Sequence, residues 1–145
     1  MEYRTGSLNR VFAVRFDHGD DFLQELTDLI IKENIRCGWL QVLGGLREAG
    51  VVTGPRKPVM PPDPVWETLD TAREVLGTAS IFWDGNEPKI HLHAALGHHG
   101  DTLTACVRKE TKVYLILEVI IFEISGIDAS RPWYEAGGFN RLSFD

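Results

Sequence analysis

Three apolar runs and the turns between them decide the fold: Val75-Leu-Gly-Thr-Ala-Ser-Ile-Phe-Trp83, then Asp84-Gly-Asn86, Lys89-Ile-His-Leu-His-Ala-Ala-Leu96, Gly97-His-His-Gly-Asp101 and Leu103-Thr-Ala-Cys-Val107. Each run has strand length and is rich in β-branched or aromatic residues. Each connection carries the glycine or aspartate that a tight hairpin requires. Consecutive hairpins imply antiparallel strands. Working outward, Lys112–Ile124 extends the series with Val113-Tyr-Leu-Ile-Leu-Glu-Val-Ile-Ile-Phe-Glu-Ile124, a run apolar on both faces for most of its length. It reads as a central strand covered on each side. Before the hairpins, Val65–Leu69 reads as a short strand.

The first half contributes the helical part. Arg10-Val-Phe-Ala-Val-Arg-Phe16 alternates as a strand does and closes at His18-Gly19. Asp20 then precedes Phe22, Leu26, Leu29 and Ile30, which share one helical stripe, so an amphipathic helix capped by Asp20 runs to about Glu33 and stops at Asn34. Cys37–Thr53 reads as strand, kink, strand, with the kink at Gly44-Gly45. Residues 54–64 hold five prolines and read as a long surface loop, placed to contact a partner or to cover a site. The order β-α-β followed by many short-linked strands defines an α+β fold, a mostly antiparallel twisted sheet flanked by few helices.

A chain of 145 residues fits one domain, 1–145, with no repeat or low-complexity segment. No apolar run is long enough to span a membrane and the polar start lacks the apolar core of a secretion signal, so cytoplasmic residence is expected. Cys37 and Cys106 are too few and too far apart for a disulfide framework and read as free thiols. A net charge of −6 disfavours non-specific binding to nucleic acid, which depends on lysine and arginine displacing counterions from phosphates.

Four of the five histidines lie between residues 91 and 99. On a strand, His91 and His93 project from the same face and hold two imidazoles side by side, the beginning of a metal site; zinc accepts such ligands and takes about three from protein at an open site. The third ligand is left open between Cys106 and His98 or His99. If the hairpin is centred so that paired numbers sum to 199, His93 faces Cys106 directly, with Cβ atoms about 5 Å apart. A slip of one residue sends Cys106 to the other face. Cys106 therefore ranks below the two histidines and above His98 and His99, which read as exposed turn residues. The bland competitor for His91 and His93 is a pair of structural strand histidines bonded to neighbouring carbonyls.

Glu118 interrupts an apolar strand, and a buried carboxylate needs a partner. It reads either as an ion pair with Arg47 or Arg15, or as a candidate catalytic base and partner to a metal-bound histidine. Trp133 and Tyr134 read first as a clamp holding the tail to the body or to a neighbouring subunit, and second as a surface for stacking with a ligand.

Several segments, in order along nearly the whole chain, resemble the PPC domain, the plant and prokaryote conserved domain. They are Val14-Arg-Phe-Asp-His-Gly-Asp-Asp-Phe22, Leu43-Gly-Gly-Leu-Arg-Glu-Ala49, Leu76-Gly-Thr-Ala-Ser80, Ile90-His-Leu-His-Ala-Ala-Leu96, Leu117-Glu-Val-Ile-Ile121 and Gly137-Gly-Phe-Asn-Arg-Leu142. The resemblance implies a compact α+β domain, a homotrimer as in stand-alone prokaryotic members, and a metal-binding histidine cluster. No AT-hook is present, since Arg4-Thr-Gly is no substitute for Arg-Gly-Arg-Pro, and the DNA-binding role of the plant proteins does not transfer. The resemblance breaks at Ala105-Cys106-Val107, where stand-alone members often carry Gly-Gly-His.

Two functions follow as expectations. In one, a trimeric zinc protein uses an open coordination position to activate water or to hold a small anionic or carbonyl ligand near a subunit boundary. In the other, a non-catalytic module associates with DNA or with proteins, and its histidines are structural. Retention of duplex DNA at physiological salt would separate them. No nucleophile triad, phosphate loop or dinucleotide fingerprint specifies a reaction.

Overall fold

Eleven residues from Phe22 form the one helix among the described residues, because Phe22, Leu26 and Ile30 recur at i, i+4 and i+8 and all three are fully buried. A computed structural model of the chain describes residues 1–144. Its elements run β1 (Ser7–Asp17), α1 (Phe22–Lys32), β2 (Gly38–Pro55), β3 (Pro64–Leu69), β4 (Arg73–Asp84), β5 (Glu87–His98), β6 (Asp101–Ser125) and the two-residue strands β7 (Ala129–Ser130), β8 (Trp133–Tyr134), β9 (Phe139–Asn140) and β10 (Ser143–Phe144).

The cap of α1 is Asp21 rather than Asp20. The Asp21 carboxylate accepts the Gln24 N–H at 3.4 Å, and Glu25 reaches back to accept the Asp21 N–H at 3.2 Å. Asp20 instead closes the turn before it by accepting the Asp17 N–H at 2.8 Å. With two adjacent aspartates the pattern alone does not choose; Thr111 does, donating to Asp21 at 3.3 Å while accepting the Leu23 N–H at 2.9 Å. Asn34 stops the helix as expected, with φ at +50°.

Six strands form one antiparallel sheet in the order β1-β6-β5-β4-β2-β3, and β2 also pairs with β6. The second pairing closes β2, β4, β5 and β6 into a ring, so the sheet curls round its own apolar face. Leu40, Val42, Ile81, Leu92, Leu96, Leu117 and Ile121 fill that face together with the buried stripe of α1.

Two long strands make this closure possible. The expected strands Leu103–Val107 and Lys112–Ile124 are one 25-residue strand, β6. Its first part pairs with β5 and its last part with β1, and it bends between them where Glu110 and Leu115 adopt φ of +56° and +60°. The kink expected in β2 is present as register shifts that begin beyond Gly44, which has φ +136°. There the backbone of β6 passes so closely that a Cβ on Gly44 would lie 2.7 Å from the Leu117 Cα and closer still to the Ile116 carbonyl oxygen.

The proline-rich segment is shorter as a loop than expected. Gly54 and Pro55 still pair with Val65 and Pro64, and the connection is the tip of the β2–β3 hairpin, closed by the Arg56 N–H donating to Asp63 at 2.9 Å. The expectation that β6 is covered on both sides needs correction as well. It is central, but Ile116, Glu118 and Ile120 lie on an open outer face of the sheet beside Trp39, Leu43 and Leu76, which is 70% exposed.

Candidate metal centre

The site begins with the turn after β5. His98 pairs with Asp101, with His99 and Gly100 between them at φ +49° and +91°. This sets the pairing sum at 199, and His93 stands opposite Cys106. Alternation along β5 buries Leu92 and Ala94 and turns His91 and His93 to the outer face, where Thr78 and Ser80 are their neighbours on β4.

The two imidazoles meet edge to face, with ring centroids 4.8 Å apart and their Nε2 atoms 3.0 Å apart. Adding Cys106 Sγ, all three ligand atoms lie within 4.8 Å of one another. Cys106 is buried and the histidines are open to solvent, so the cluster faces outward from a closed floor. The donor set suits zinc: tetrahedral coordination by two nitrogens and a sulfur places ligand atoms about 3.3–3.6 Å apart, a spacing that the separations here, from 3.0 Å to no more than 4.8 Å, bracket.

The surroundings of His91 keep its ring unprotonated, as a metal ligand must be. Partial burial of its ring, one edge of which stays open, followed by the charges of His93, Arg131 and Arg108, lowers His91 to about 4, so that imidazole is neutral near neutral pH. Burial raises the Cys106 thiol, partly offset by Arg108 through its charge and a hydrogen bond. The thiol therefore surrenders its proton only to a strong competitor such as a metal ion.

The other candidates lie elsewhere. His98 is held by the Ala72 carbonyl at 3.1 Å and stacks edge-on against His99, away from the cluster. Glu118 is exposed rather than buried, and the ion pair expected for it is absent among the described residues; Arg15 pairs with Asp17 at 3.1 Å and Arg47 with Glu48 at 3.6 Å. Cross-strand partners run Glu118, Leu43, Leu76, Ala95, which puts Glu118 three strand spacings from β5, roughly 14 Å along the sheet. It shares with His93 the rim of an outer-face recess of about 680 Å³. Trp133 and Tyr134 form the β8–β9 hairpin with Phe139 and Asn140, and Trp133 is 55% exposed at the mouth of a second recess.

Arg108 and Arg131 were not anticipated from the sequence. Arg108 does carry a local signal, since it lies two residues beyond Cys106 on the same strand face. Arg131 carries no local signal: it follows β7, is only 6% exposed, and crosses to β4 and β5.

The architecture is therefore that of a curled antiparallel sheet with one helix, carrying a His-His-Cys cluster on its outer face. The chain belongs to the Plants and Prokaryotes Conserved (PCC) domain family, whose model matches residues 3–125. It is similar in fold to a metal-containing protein from Archaeoglobus fulgidus, with a TM-score of 0.86, 18% identity and 99% of each chain covered. It is similar also to a plant- and prokaryote-conserved protein from Pyrococcus horikoshii, with a TM-score of 0.84, 18% identity, and 100% of this chain and 99% of that one covered. A protein from Bacteroides thetaiotaomicron suggested to bind DNA shares the fold at a TM-score of 0.79 and 16% identity, over 97% of this chain and 99% of its own. No curated protein matches the chain.

Proposed function

We propose that this protein binds one divalent ion per chain, zinc, through His91, His93 and Cys106, and does so as a homotrimer. The observation that carries the reading is the convergence of two imidazole nitrogens and a thiol within 4.8 Å, reached from two strands by a single hairpin register. Zinc bound by three protein ligands keeps a fourth position for water or for a ligand atom and supplies Lewis acidity there. Around it, the chain's own residues hold His91 neutral, shield the thiol and leave the histidine side open. The archaeal relative described as metal-containing supports the same reading. Binding is assigned, without a reaction.

Self-association is supported by the outer face. Leu43 and Leu76 are 53% and 70% exposed, face each other across β2 and β4, and continue into Ile120 and Trp39 beside the 680 Å³ recess. An exposed, largely apolar face of this kind, broken by Gln41 and Glu118, marks an interaction site. Elemental analysis of the purified protein, with mass from light scattering, tests both parts. One zinc per chain in a particle of three chains is expected, and the His91→Ala/His93→Ala variant should lose the metal. Equal zinc in both proteins would contradict the site, and a monomer would contradict the assembly.

A further inference from the structure

A recess of about 660 Å³ opens beside His91, between β5, β6, the β2–β3 hairpin and the tail. Its lining is chemically lopsided. The chain has 21 acidic and 15 basic residues, yet no carboxylate lines this recess among the described residues, whereas Arg108, Arg131 and Lys89 all do. Lys89 is already paired, to Glu87 at 2.8 Å. Neither arginine has an ion-pair partner among the described residues. The Arg131 guanidinium donates only to neutral oxygens: the Ser80 hydroxyl at 2.9 Å, the Lys89 carbonyl at 3.3 Å and the Ser80 carbonyl at 3.4 Å. The same guanidinium also lies over the Phe82 ring at 5.0 Å, so the cation is oriented and partly offset but meets no countercharge. Two indoles add the second feature: Trp66 and Trp133 line the same recess and are 52% and 55% exposed, an unusual outlay of aromatic surface to solvent.

We propose that this recess binds a small organic acid, its oxyanion, carboxylate or phosphate, held by Arg108 and Arg131 and its flat apolar body lying against Trp66 and Trp133. Guanidinium groups suit such oxyanions because their planar donors match two oxygens at once. The volume falls in the range of small-molecule sites, about 300–1,000 Å³. The inference rests on the metal reading to the extent that His91 lines the recess and an acid bound there would lie beside that imidazole; the anion contacts themselves belong to the arginines.

Calorimetric titration of the purified protein, with metal content measured on the same sample, tests the assignment. The probes are benzoate, phenyl phosphate, inorganic phosphate and the neutral benzyl alcohol. Benzoate and phenyl phosphate should bind at least about tenfold more tightly than benzyl alcohol, and Arg108→Ala, an exposed position, should weaken both by about tenfold or more. Trp133→Ala, also exposed, should weaken benzoate and leave inorganic phosphate unchanged. Equal binding of benzyl alcohol, no binding of either aromatic acid, or unchanged affinity in Arg108→Ala would overturn the proposal. Metal-loaded protein that ignores these acids would sink this inference alone, while acid binding by protein that holds no metal would sink the metal reading alone.

Discussion

Gly44→Ala should lower the unfolding free energy by about 2–5 kcal/mol in denaturant titration, combining the strain of a side chain at positive φ with overpacking against β6. The magnitude follows from what a Cβ would meet. At φ +136° it is driven to within 2.7 Å of the Leu117 backbone, which cannot withdraw without breaking the pairing between β2 and β6. That pairing is what closes the sheet. Gly19→Ala is the matched control: Gly19 has φ +95° but nothing within 4 Å of its Cβ position, so it isolates strain from crowding and should cost less. A loss at Gly44 of no more than about 0.5 kcal/mol, the size of an ordinary surface change, would show that the close crossing of β2 and β6 is not what holds the ring together.

Cys106→Ser should reduce zinc affinity by about a hundredfold or more, since even removing a partner that merely orients a ligand costs about 10–100-fold. The pH dependence of affinity should change with it. The folded protein holds Cys106 above the ordinary thiol range, so near neutral pH zinc must displace a proton from it, and wild-type affinity should rise about tenfold per pH unit until the thiol's own pKa is reached. His91, lowered to about 4, adds no proton to that balance near neutrality. The serine variant should therefore show a much flatter dependence. Competition titrations against a chelator at several pH values measure both effects, and identical slopes for the two proteins would remove Cys106 from the ligand set.

Much of this was legible in the residues because hairpins are local. Gly97-His-His-Gly-Asp101 located the turn but left its centring open by one residue; the observed pairing of His98 with Asp101 gives the sum of 199 that places His93 against Cys106. The α1 stripe was legible for the same reason. What escaped was non-local. The bend that joins two expected strands into β6 occurs at Glu110 and Leu115, residues whose types give no signal for φ above zero. The double-sided apolarity of Val113–Ile124 was read correctly as a pattern and wrongly as full coverage within one chain, because a sequence does not distinguish a face packed inside the fold from one left open on it. Glu118 was misplaced with it: expected to be buried and paired, it is exposed on that face. Arg131 reaches the site only because the tail folds back across β4 and β5, and no periodicity reports such a return.

Loading the protein with cobalt(II) and recording its absorption spectrum tests whether His91, His93 and Cys106 bind one ion together, since cobalt replaces zinc at such sites and reports both ligand type and geometry. Expected are the intense visible bands of tetrahedral cobalt together with a thiolate-to-cobalt charge-transfer band, the latter lost in Cys106→Ser and both lost in His91→Ala/His93→Ala. A weak octahedral spectrum without charge transfer, or one that is the same in all three proteins, would contradict that shared site.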